Sequence, residues 1–168
     1  MDSAQLDSPF GEITISAYAG HVSALYFSAS KDNVRLPIPA RLKEKYGCDT
    51  PRENQRVLKK AQQQLTEYIR GERKEFELEL AFEGSVFQES VWQELTEIPY
   101  AETISYLDLA KKVRSPKAFR AVGSANGKNA ISIIIPCHRV IASNGNISGY
   151  AGGPETKARL LEHEKSYN

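Results

Sequence analysis

The chain has 168 residues, of which 40% are hydrophobic and 26% are charged, and its formal net charge is +1. These values are typical of a globular protein with one domain or two small ones. No apolar run approaches the roughly 20 residues that span a bilayer. The first residues also lack the basic and apolar regions of a signal peptide. We therefore expect a cytoplasmic protein that makes no membrane contact.

The chain contains two cysteines, Cys48 and Cys137. They can form at most one disulfide, so a reducing compartment fits them better than an oxidising one. No second Cys or His stands at metal-ligand spacing from Cys48, and we expect no zinc site.

The first part of the chain predicts a small α+β unit. Ile13 and Ile15 alternate with polar residues, residues 19–21 offer a turn, and residues 22–27 read as a second strand. This pattern indicates an antiparallel hairpin.

A helix and a third strand are predicted next. Thr50 and Glu53 form a capping-box pattern at the start of a helix that ends at Gly71. Residues 76–82 alternate between apolar and mostly acidic side chains, which predicts a strand. Residues 31–46 contain two prolines and predict a loop with at most one helical turn.

Two further capping boxes open the second part of the chain. Ser85 with Gln88 begins a helix that Pro99 ends, and Ser105 with Asp108 begins a shorter helix. Both patterns place a hydroxyl three residues before a side chain that can return the hydrogen bond.

A third helix is predicted to start at Ser115, with Pro116 at its first position, and to stop at Gly127. It bears Lys117 and Arg120 and follows the shorter helix after a tight turn. Such a pair matches a helix-turn-helix, although most helix pairs bind no DNA.

The charge distribution points to a polyanion as partner. Residues 1–108 carry 18 acidic against 12 basic side chains, whereas residues 109–154 contain no acidic one. A one-sided block of this kind suits DNA, and the alternative is a solvated surface that lacks acids. The positive field is also expected to lower the pKa of a thiol within it. The basic residues of the block are Lys111, Lys112, Arg114, Lys117, Arg120, Lys128 and Arg139.

A thiol and an imidazole stand side by side in this block. Cys137 and His138 follow the β-branched run 131–135, which predicts a strand that ends at Pro136. A Cys beside a base can act as a nucleophile, and the alternative is an ordinary buried Cys. The chain must turn at Pro136, because adjacent side chains of a continuing strand point to opposite faces.

The remaining residues predict a turn, a loop and a last helix. Asn144 with Gly145 is a tight-turn signal, residues 149–153 form a glycine-rich loop, and Pro154 begins the helix. Glu164 near the end of this helix reads on its own as a surface charge.

Taken together, the motifs of the second part resemble the O6-alkylguanine-DNA alkyltransferases, also called methylated-DNA–protein-cysteine methyltransferases. Residues 1–83 resemble the amino-terminal domain of that family only in size and element order. The resemblance implies an α+β fold: an amino-terminal α+β domain (1–83) with an antiparallel sheet, then a mostly helical, winged-helix-like domain (84–168). The matching motifs are Phe87-Gln88-Glu89-Ser90-Val91-Trp92, Ile98-Pro99-Tyr100, Thr103-Ile104-Ser105-Tyr106, Phe119-Arg120-Ala121-Val122-Gly123, Asn126-Gly127-Lys128-Asn129, Ile135-Pro136-Cys137-His138-Arg139-Val140 and Gly149-Tyr150-Ala151-Gly152-Gly153.

The resemblance implies DNA repair by a single-turnover methyltransferase without a cofactor. The family moves an alkyl group from O6 of guanine, and less efficiently from O4 of thymine, to its own cysteine. Cys137 corresponds to that cysteine, His138 to a base that acts through a bridging water, and Glu164 to the residue that orients the imidazole. Tyr106 corresponds to the hydroxyl donor to the base ring nitrogen.

The resemblance also implies the partner, which is double-stranded DNA containing O6-alkylguanine, and a monomer in solution. Arg120 corresponds to the intercalating arginine of a helix that enters the minor groove, after the target nucleotide is flipped out. The same helix region is expected to contact DNA through Lys117, Ala121, Gly123, Ser124 and Ala125. The base pocket is expected to include Asn129, Val140, Ser143, Tyr150 and Ala151.

Some residues depart from the family pattern, and two other functions compete. Ala101 and Ala130 stand where many members carry Gly and Pro, and Ala151 lacks a hydroxyl that some members place near O6. A non-catalytic module that binds alkylated DNA is disfavoured by Cys137. A thiol hydrolase or redox enzyme is disfavoured by the absence of a resolving cysteine nearby.

Overall fold

The structure, a computed structural model, describes residues 1–147 and 149–168. Its fold is α+β, as the sequence predicts. A three-stranded antiparallel sheet with the order β1-β2-β3 forms the amino-terminal part, and helices dominate the rest. The strands are β1 (Asp2–Leu6), β2 (Ile13–Tyr18), β3 (His21–Phe27), β4 (Ile104–Ser105) and β5 (Val140–Ile141).

Six α-helices and two short 3₁₀ helices are found among the described residues. The 3₁₀ helices are Ser28–Asn33 and Cys137–Arg139. None of the helices in these residues has the length and apolar character needed to cross a membrane. The α-helices are α1 (Pro39–Tyr46), α2 (Pro51–Ile69), α3 (Val86–Thr96), α4 (Tyr106–Lys112), α5 (Phe119–Gly127) and α6 (Pro154–Ser166).

One continuous hydrophobic core joins the sheet to the helical part. Helix α2 packs on the sheet with Leu65. We call the 3₁₀ helix Cys137–Arg139 the Cys turn, and Leu25 of β3 faces the segment that precedes it. The backbone N–H of Leu25 donates to Ala130 at 2.8 Å, and the N–H of Ser132 donates back to Leu25 at 2.8 Å. The sheet therefore supports the thiol-bearing segment directly.

The amino-terminal sheet differs from the prediction in its third strand. The hairpin of β2 and β3 is confirmed, but the third strand is β1, which the sequence analysis missed. Residues 76–82 are extended and meet β3 only at a bridge between Leu80 and Val22. In place of a strand partner, the side-chain amide of Gln64 bonds both backbone groups of Glu77. Its Oε1 accepts from the N–H at 2.9 Å, and its Nε2 donates to the carbonyl at 3.2 Å.

Residues 31–46 also hold more helix than predicted, because α1 forms two turns there. Thr50 precedes α2 as expected but makes no capping bond to the backbone. Its hydroxyl donates instead to the carboxylate of Glu53 at 2.7 Å. The capping boxes of Ser85 and Ser105 are confirmed, with both reciprocal bonds present in each.

The third helix of the second part starts later than predicted. Helix α5 begins at Phe119, and the N–H of Ala118 closes a turn on the carbonyl of Ser115 at 2.9 Å. The Ser115 side chain reaches back to the carbonyl of Val113 at 3.5 Å and so does not cap the helix. The connection between α4 and α5 is therefore longer than the tight turn that the sequence indicated.

The β-branched run 131–135 is a turn and not a strand. Only Ile131 pairs, in a bridge with Leu25, and Ile133 lies in the left-handed region at φ 68°. A β-branched residue there is strained by about 1–3 kcal/mol and persists only where the surroundings fix it. The buried side chains of Ile133 and Ile135, each 1% exposed, supply that fixation.

The capping difference gives a matched test of helix stability. We expect Ser85→Ala to lower the free energy of unfolding by about 1 kcal/mol, because it removes the N-cap acceptor of α3. Thr50→Ala removes no backbone cap and is expected to cost less than half as much. Urea unfolding of both variants measures this, and equal losses would contradict the observed caps.

Candidate active site

The thiol of Cys137 lies at the start of the Cys turn. Pro136 precedes the turn with φ −80° and ψ 63°, which ends the extended direction as the sequence analysis required. The backbone N–H of Cys137 donates to Ile135 at 2.8 Å, and the side chain is 4% exposed. The thiol is therefore an interior group in this state of the protein.

Two buried asparagines fix the backbone around the thiol. Asn129 donates from Nδ2 to the carbonyl of Ile135 at 2.9 Å and accepts from the N–H of Ile131 at 2.9 Å. Asn126 of α5 makes a longer contact, 3.5 Å, to the carbonyl of Cys137. Asn129 thus connects the end of α5 to the thiol-bearing segment.

A fully buried carboxylate organises the rest of the site. Glu164 of α6 is 0% exposed, and its Oε1 lies 2.7 Å from Nε2 of His138. Arg139 donates from Nε to Oε2 at 3.0 Å and from Nη2 to Oε1 at 2.9 Å. The sequence alone favoured a surface charge at Glu164, and only the resemblance placed it beside the imidazole.

Two further donors reach the same carboxylate from outside the Cys turn and α6. The hydroxyl of Tyr68 in α2 donates to Oε1 at 2.8 Å, and the N–H of Ala101 donates to Oε2 at 3.2 Å. Ala101 lies at φ 62°, a conformation that glycine adopts without strain. Its position matches the departure noted in the sequence, where many family members carry Gly.

These donors decide the ionisation state of Glu164 and the tautomer of His138. Burial alone raises the pKa of Glu164, but the hydrogen bonds from His138 and Arg139 and the positive charge of Arg139 overcome it and hold the pKa far below its usual range. An ionised carboxylate can only accept, so Nε2 of His138 carries the hydrogen. Burial lowers the pKa of His138, which keeps the imidazole neutral although Glu164 opposes this. Nδ1 therefore has a free lone pair, and it has no hydrogen-bond partner among the described residues.

The resting state of the thiol differs from the expectation. Burial raises the pKa of Cys137, and a hydrogen bond from Asn129 and the charge of Lys157 offset this only in part. The basic block fails to lower the pKa because its cations are exposed, apart from Arg139, which is paired with Glu164. The site therefore holds a neutral thiol beside a neutral base.

Lys157 is the cation whose charge lowers the pKa of the Cys137 thiol. It is 0% exposed, and its Nζ donates to the carbonyl of Val140 at 2.5 Å. Burial lowers the pKa of Lys157, and the negative charge that Cys137 can carry raises it. The sequence analysis missed this residue, although Lys157, Leu160 and Glu164 recur at spacings of three and four and therefore share one face of α6.

Tyr106, the first residue of α4, lies half-buried between three elements. Its ring is 5.9 Å from Nζ of Lys157, and a Cβ on Gly123 of α5 would approach it to 3.7 Å. A Cβ on Gly149 would come within 3.2 Å of its hydroxyl. Burial raises the pKa of Tyr106, with a contribution from Cys137, so the hydroxyl keeps its proton and can donate.

The predicted base-pocket residues fall into two groups. Asn129, Val140 and Tyr150 are buried, at 3%, 0% and 7% exposure, whereas Ser143 is exposed and Ala151 is half-buried. The ring of Tyr150 packs edge-on against Phe27 of β3 with centroids 6.4 Å apart. The sheet therefore supports the pocket tyrosine as well as the thiol segment.

Most of the predicted DNA-contacting residues share an exposed surface around α5. Ala125 does not, because it is 2% exposed and its carbonyl accepts from the indole of Trp92 at 2.8 Å. A direct DNA contact from Ala125 is therefore not supported. Gly123 is half-buried, and the exposed members are Lys117, Arg120, Ala121 and Ser124.

Known family models match nearly the whole chain. The model described as "6-O-methylguanine DNA methyltransferase, DNA binding domain" matches residues 86–166, and the one described as "6-O-methylguanine DNA methyltransferase, ribonuclease-like domain" matches residues 3–82. These matches agree with the resemblance drawn from the motifs.

Relatives named methylated-DNA–protein-cysteine methyltransferase match almost the full length of the chain. A methylated-DNA–protein-cysteine methyltransferase of Methanosarcina acetivorans is 42% identical over 97% of this chain and 97% of its own. A constitutive one of Bacillus subtilis is 44% identical over 95% of this chain and 92% of its own. The crystal structure of the O6-methylguanine methyltransferase of Mycobacterium tuberculosis superposes with a TM-score of 0.79, at 38% identity, over 99% of this chain and 93% of that one. A structure of the same M. tuberculosis protein in complex with DNA matches equally, over 97% of this chain and 92% of that one.

The buried imidazole predicts a loss of stability at acidic pH. The folded-state pKa of His138 lies below the ordinary value of 6.5, so below that pH the unfolded chain binds a proton that the folded chain does not. Glu164, whose pKa lies below 4.5, adds a second loss at lower pH for the same reason. We therefore expect the free energy of unfolding to fall between about pH 6.5 and 5.5 because of His138.

Urea unfolding at both pH values checks this, with His138→Gln as the comparison. The variant is expected to lose less stability than the parent over this interval. The same pH dependence in both proteins would contradict a buried neutral imidazole.

Proposed function

Because this chain belongs to the methylated-DNA–protein-cysteine methyltransferase family, we propose that it repairs DNA by moving the alkyl group of O6-alkylguanine to the sulfur of Cys137. The observation that carries the assignment of residues is the pairing of His138, which directly follows Cys137 in the chain, with the buried, ionised Glu164. A soft sulfur nucleophile suits attack on an alkyl carbon. We further propose that each molecule reacts once and that O4-alkylthymine is a poorer substrate.

The first step is removal of the thiol proton. The sulfur is neutral at rest because burial raises the pKa of Cys137, so a base must act when the substrate is in place. Nδ1 of His138 is that base, reached through a bridging water, because Nε2 is committed to Glu164. The imidazolium that forms is stabilised by the carboxylate, and Lys157 stabilises the thiolate.

The second step forms the S–C bond and breaks the bond from the alkyl carbon to O6. The guanine leaves as an anion and takes a proton at a ring nitrogen, which Tyr106 donates from its protonated hydroxyl. The imidazolium of His138 then returns a proton to Tyr106 through water, so that overall one proton has moved from the thiol to guanine and the cysteine has become a thioether. No cofactor enters this balance.

Access to O6 requires the nucleotide to leave the duplex, which costs a few kcal/mol of unstacking. Arg120 is exposed at the start of α5, with its guanidinium 5.9 Å from the ring of Phe119, and we propose that it fills the gap left in the duplex. Small residues on the exposed face, Ala121 and Ser124 among them, permit close approach of α5 to the minor groove. The pair α4 and α5 would then act as the helix-turn-helix.

The wider setting follows from the same proposal. We propose that residues 1–83 and 84–168 are two domains, supported by the two separate family models that match residues 3–82 and 86–166. Both cysteines are free thiols, which supports a cytoplasmic location. A monomer acting on duplex DNA containing O6-alkylguanine is the expected working form.

Peptide mass mapping after reaction with a methylated oligonucleotide tests the function. We expect one methyl group on Cys137 and none on Cys48, which is exposed and has no imidazole beside it in the sequence. Cys137→Ser is the control and is expected to stay unmodified while still binding the oligonucleotide. Methyl on Cys48, or several substrates consumed per protein, would refute the proposal, and no methyl on the protein would favour a binding module.

A second prediction separates base flipping from chemistry. We expect Arg120→Ala to slow repair of duplex DNA at least tenfold while reaction with free O6-benzylguanine changes less than twofold, since the free base needs no flipping. Arg56→Ala on the exposed face of α2 removes the same charge and serves as the control. Single-turnover rate constants on both substrates give the answer, and equal losses on both would contradict the role of Arg120.

A further inference from the structure

Tyr68 connects the amino-terminal part of the chain to the catalytic carboxylate. It lies at the end of α2, 96 residues before Glu164, and is 0% exposed. Its hydroxyl donates to Oε1 of Glu164 at 2.8 Å, the same oxygen that His138 contacts at 2.7 Å. The two groups therefore share one acceptor atom.

The surroundings fix the ring of Tyr68 in this position. The rings of Phe76, Tyr100 and His163 lie 5.5, 6.1 and 5.3 Å from it. Nε2 of His163 also contacts the Tyr68 carbonyl at 2.9 Å. A hydroxyl held this firmly loses little conformational entropy in making its hydrogen bond.

The hydroxyl stays a donor throughout the neutral range. Burial, and then the negative charge of Glu164, raise the pKa of Tyr68 well above its usual value of 10. A donated hydrogen draws electron density from Oε1 and so weakens the pull of the carboxylate on the hydrogen of His138. The balance between Tyr68 and His138 at this oxygen thus affects how readily the imidazole becomes an imidazolium.

We propose that Tyr68 is a positioning residue for alkyl transfer, which orients Glu164 toward His138 and tunes the basicity of the imidazole from the amino-terminal domain. The inference rests on the function proposed above. It assigns the amino-terminal domain a part in the chemistry and not only in folding.

Other charged and titratable groups around the carboxylate share in this balance. Arg139 from the Cys turn bonds both oxygens. Burial raises the pKa of Tyr100, and the negative charge of nearby Glu164 raises it further. The positive charge of Lys157 in α6 lowers the pKa of His138 and that of the Cys137 thiol. Tyr68 differs from all of these in coming from the amino-terminal part.

The test is the pH profile of alkylation by free O6-benzylguanine, followed by intact mass. In Tyr68→Phe the carboxylate loses a donor and favours the imidazolium more strongly. We expect the acidic limb of the profile to move to higher pH and the rate on that limb to fall roughly three- to tenfold, the equivalent of one hydrogen bond. Tyr18→Phe is the matched control, because Tyr18 is also buried in the amino-terminal part and, among the described residues, its hydroxyl donates to the carbonyl of Gly47, at 3.2 Å.

A double-mutant cycle distinguishes positioning from core packing. In a Glu164→Gln background no ionised carboxylate remains, so Tyr68→Phe is expected to change the rate less than twofold. A full-sized effect in that background would overturn the inference. Wild-type protein that fails to react at all would instead refute the proposed function.

A second variant keeps the shape of the side chain and reverses the expected sign. Site-specific 3-fluorotyrosine at position 68 has a more acidic hydroxyl, which is a stronger donor to Oε1. The acidic limb is expected to move to lower pH. A wild-type profile in Tyr68→Phe, or a shift in the same direction for both variants, would overturn the role of Tyr68.

Discussion

The ionised carboxylate of Glu164, which is 0% exposed, is the constraint on which the rest of the structure depends. A charge in the interior is costly unless hydrogen bonds and an opposite charge compensate it. Here the donors are Tyr68 of α2, Ala101 after α3, and His138 and Arg139 of the Cys turn. Because they come from three separate stretches of the chain, none of them in the helix that carries Glu164, the folded core and the reactive site form together. A rearrangement of any one stretch leaves part of the charge uncompensated.

The same carboxylate determines the chemistry of its neighbours. As an acceptor it fixes the hydrogen of His138 on Nε2, which leaves Nδ1 as the basic nitrogen. Burial then keeps both His138 and Cys137 neutral, since it lowers the pKa of the imidazole and raises that of the thiol. The pair is therefore poised for proton transfer and is not a resting thiolate–imidazolium pair. The imidazolium, once formed, finds its counter-charge already in place.

Local sequence signals predicted two of the three expected capping boxes correctly, whereas the one at Thr50 does not form. The capping boxes at Ser85 and Ser105 involve residues three apart, and both are present. The strand predicted for residues 131–135 is wrong. β-branched residues indicate a strand, but packing from distant parts of the chain holds Ile133 at φ 68°. The contact between Tyr68 and Glu164 spans 96 residues and leaves no periodic signal. The role of Glu164 came from resemblance to a family and not from any pattern in the chain.

Burial of the Cys137 thiol has a further consequence if this thiol is the acceptor of the proposed single-turnover reaction. Oxidation of a cysteine follows its thiolate character and its exposure. Cys137 has neither in the resting state, because it is 4% exposed and burial raises its pKa. Cys48, by contrast, is exposed and has no assigned chemistry. A thiol that becomes a thiolate only when a base and a substrate act together is protected from oxidants until it reacts, whereas a permanently ionised sulfur would be lost to side reactions that leave the protein unable to repair DNA.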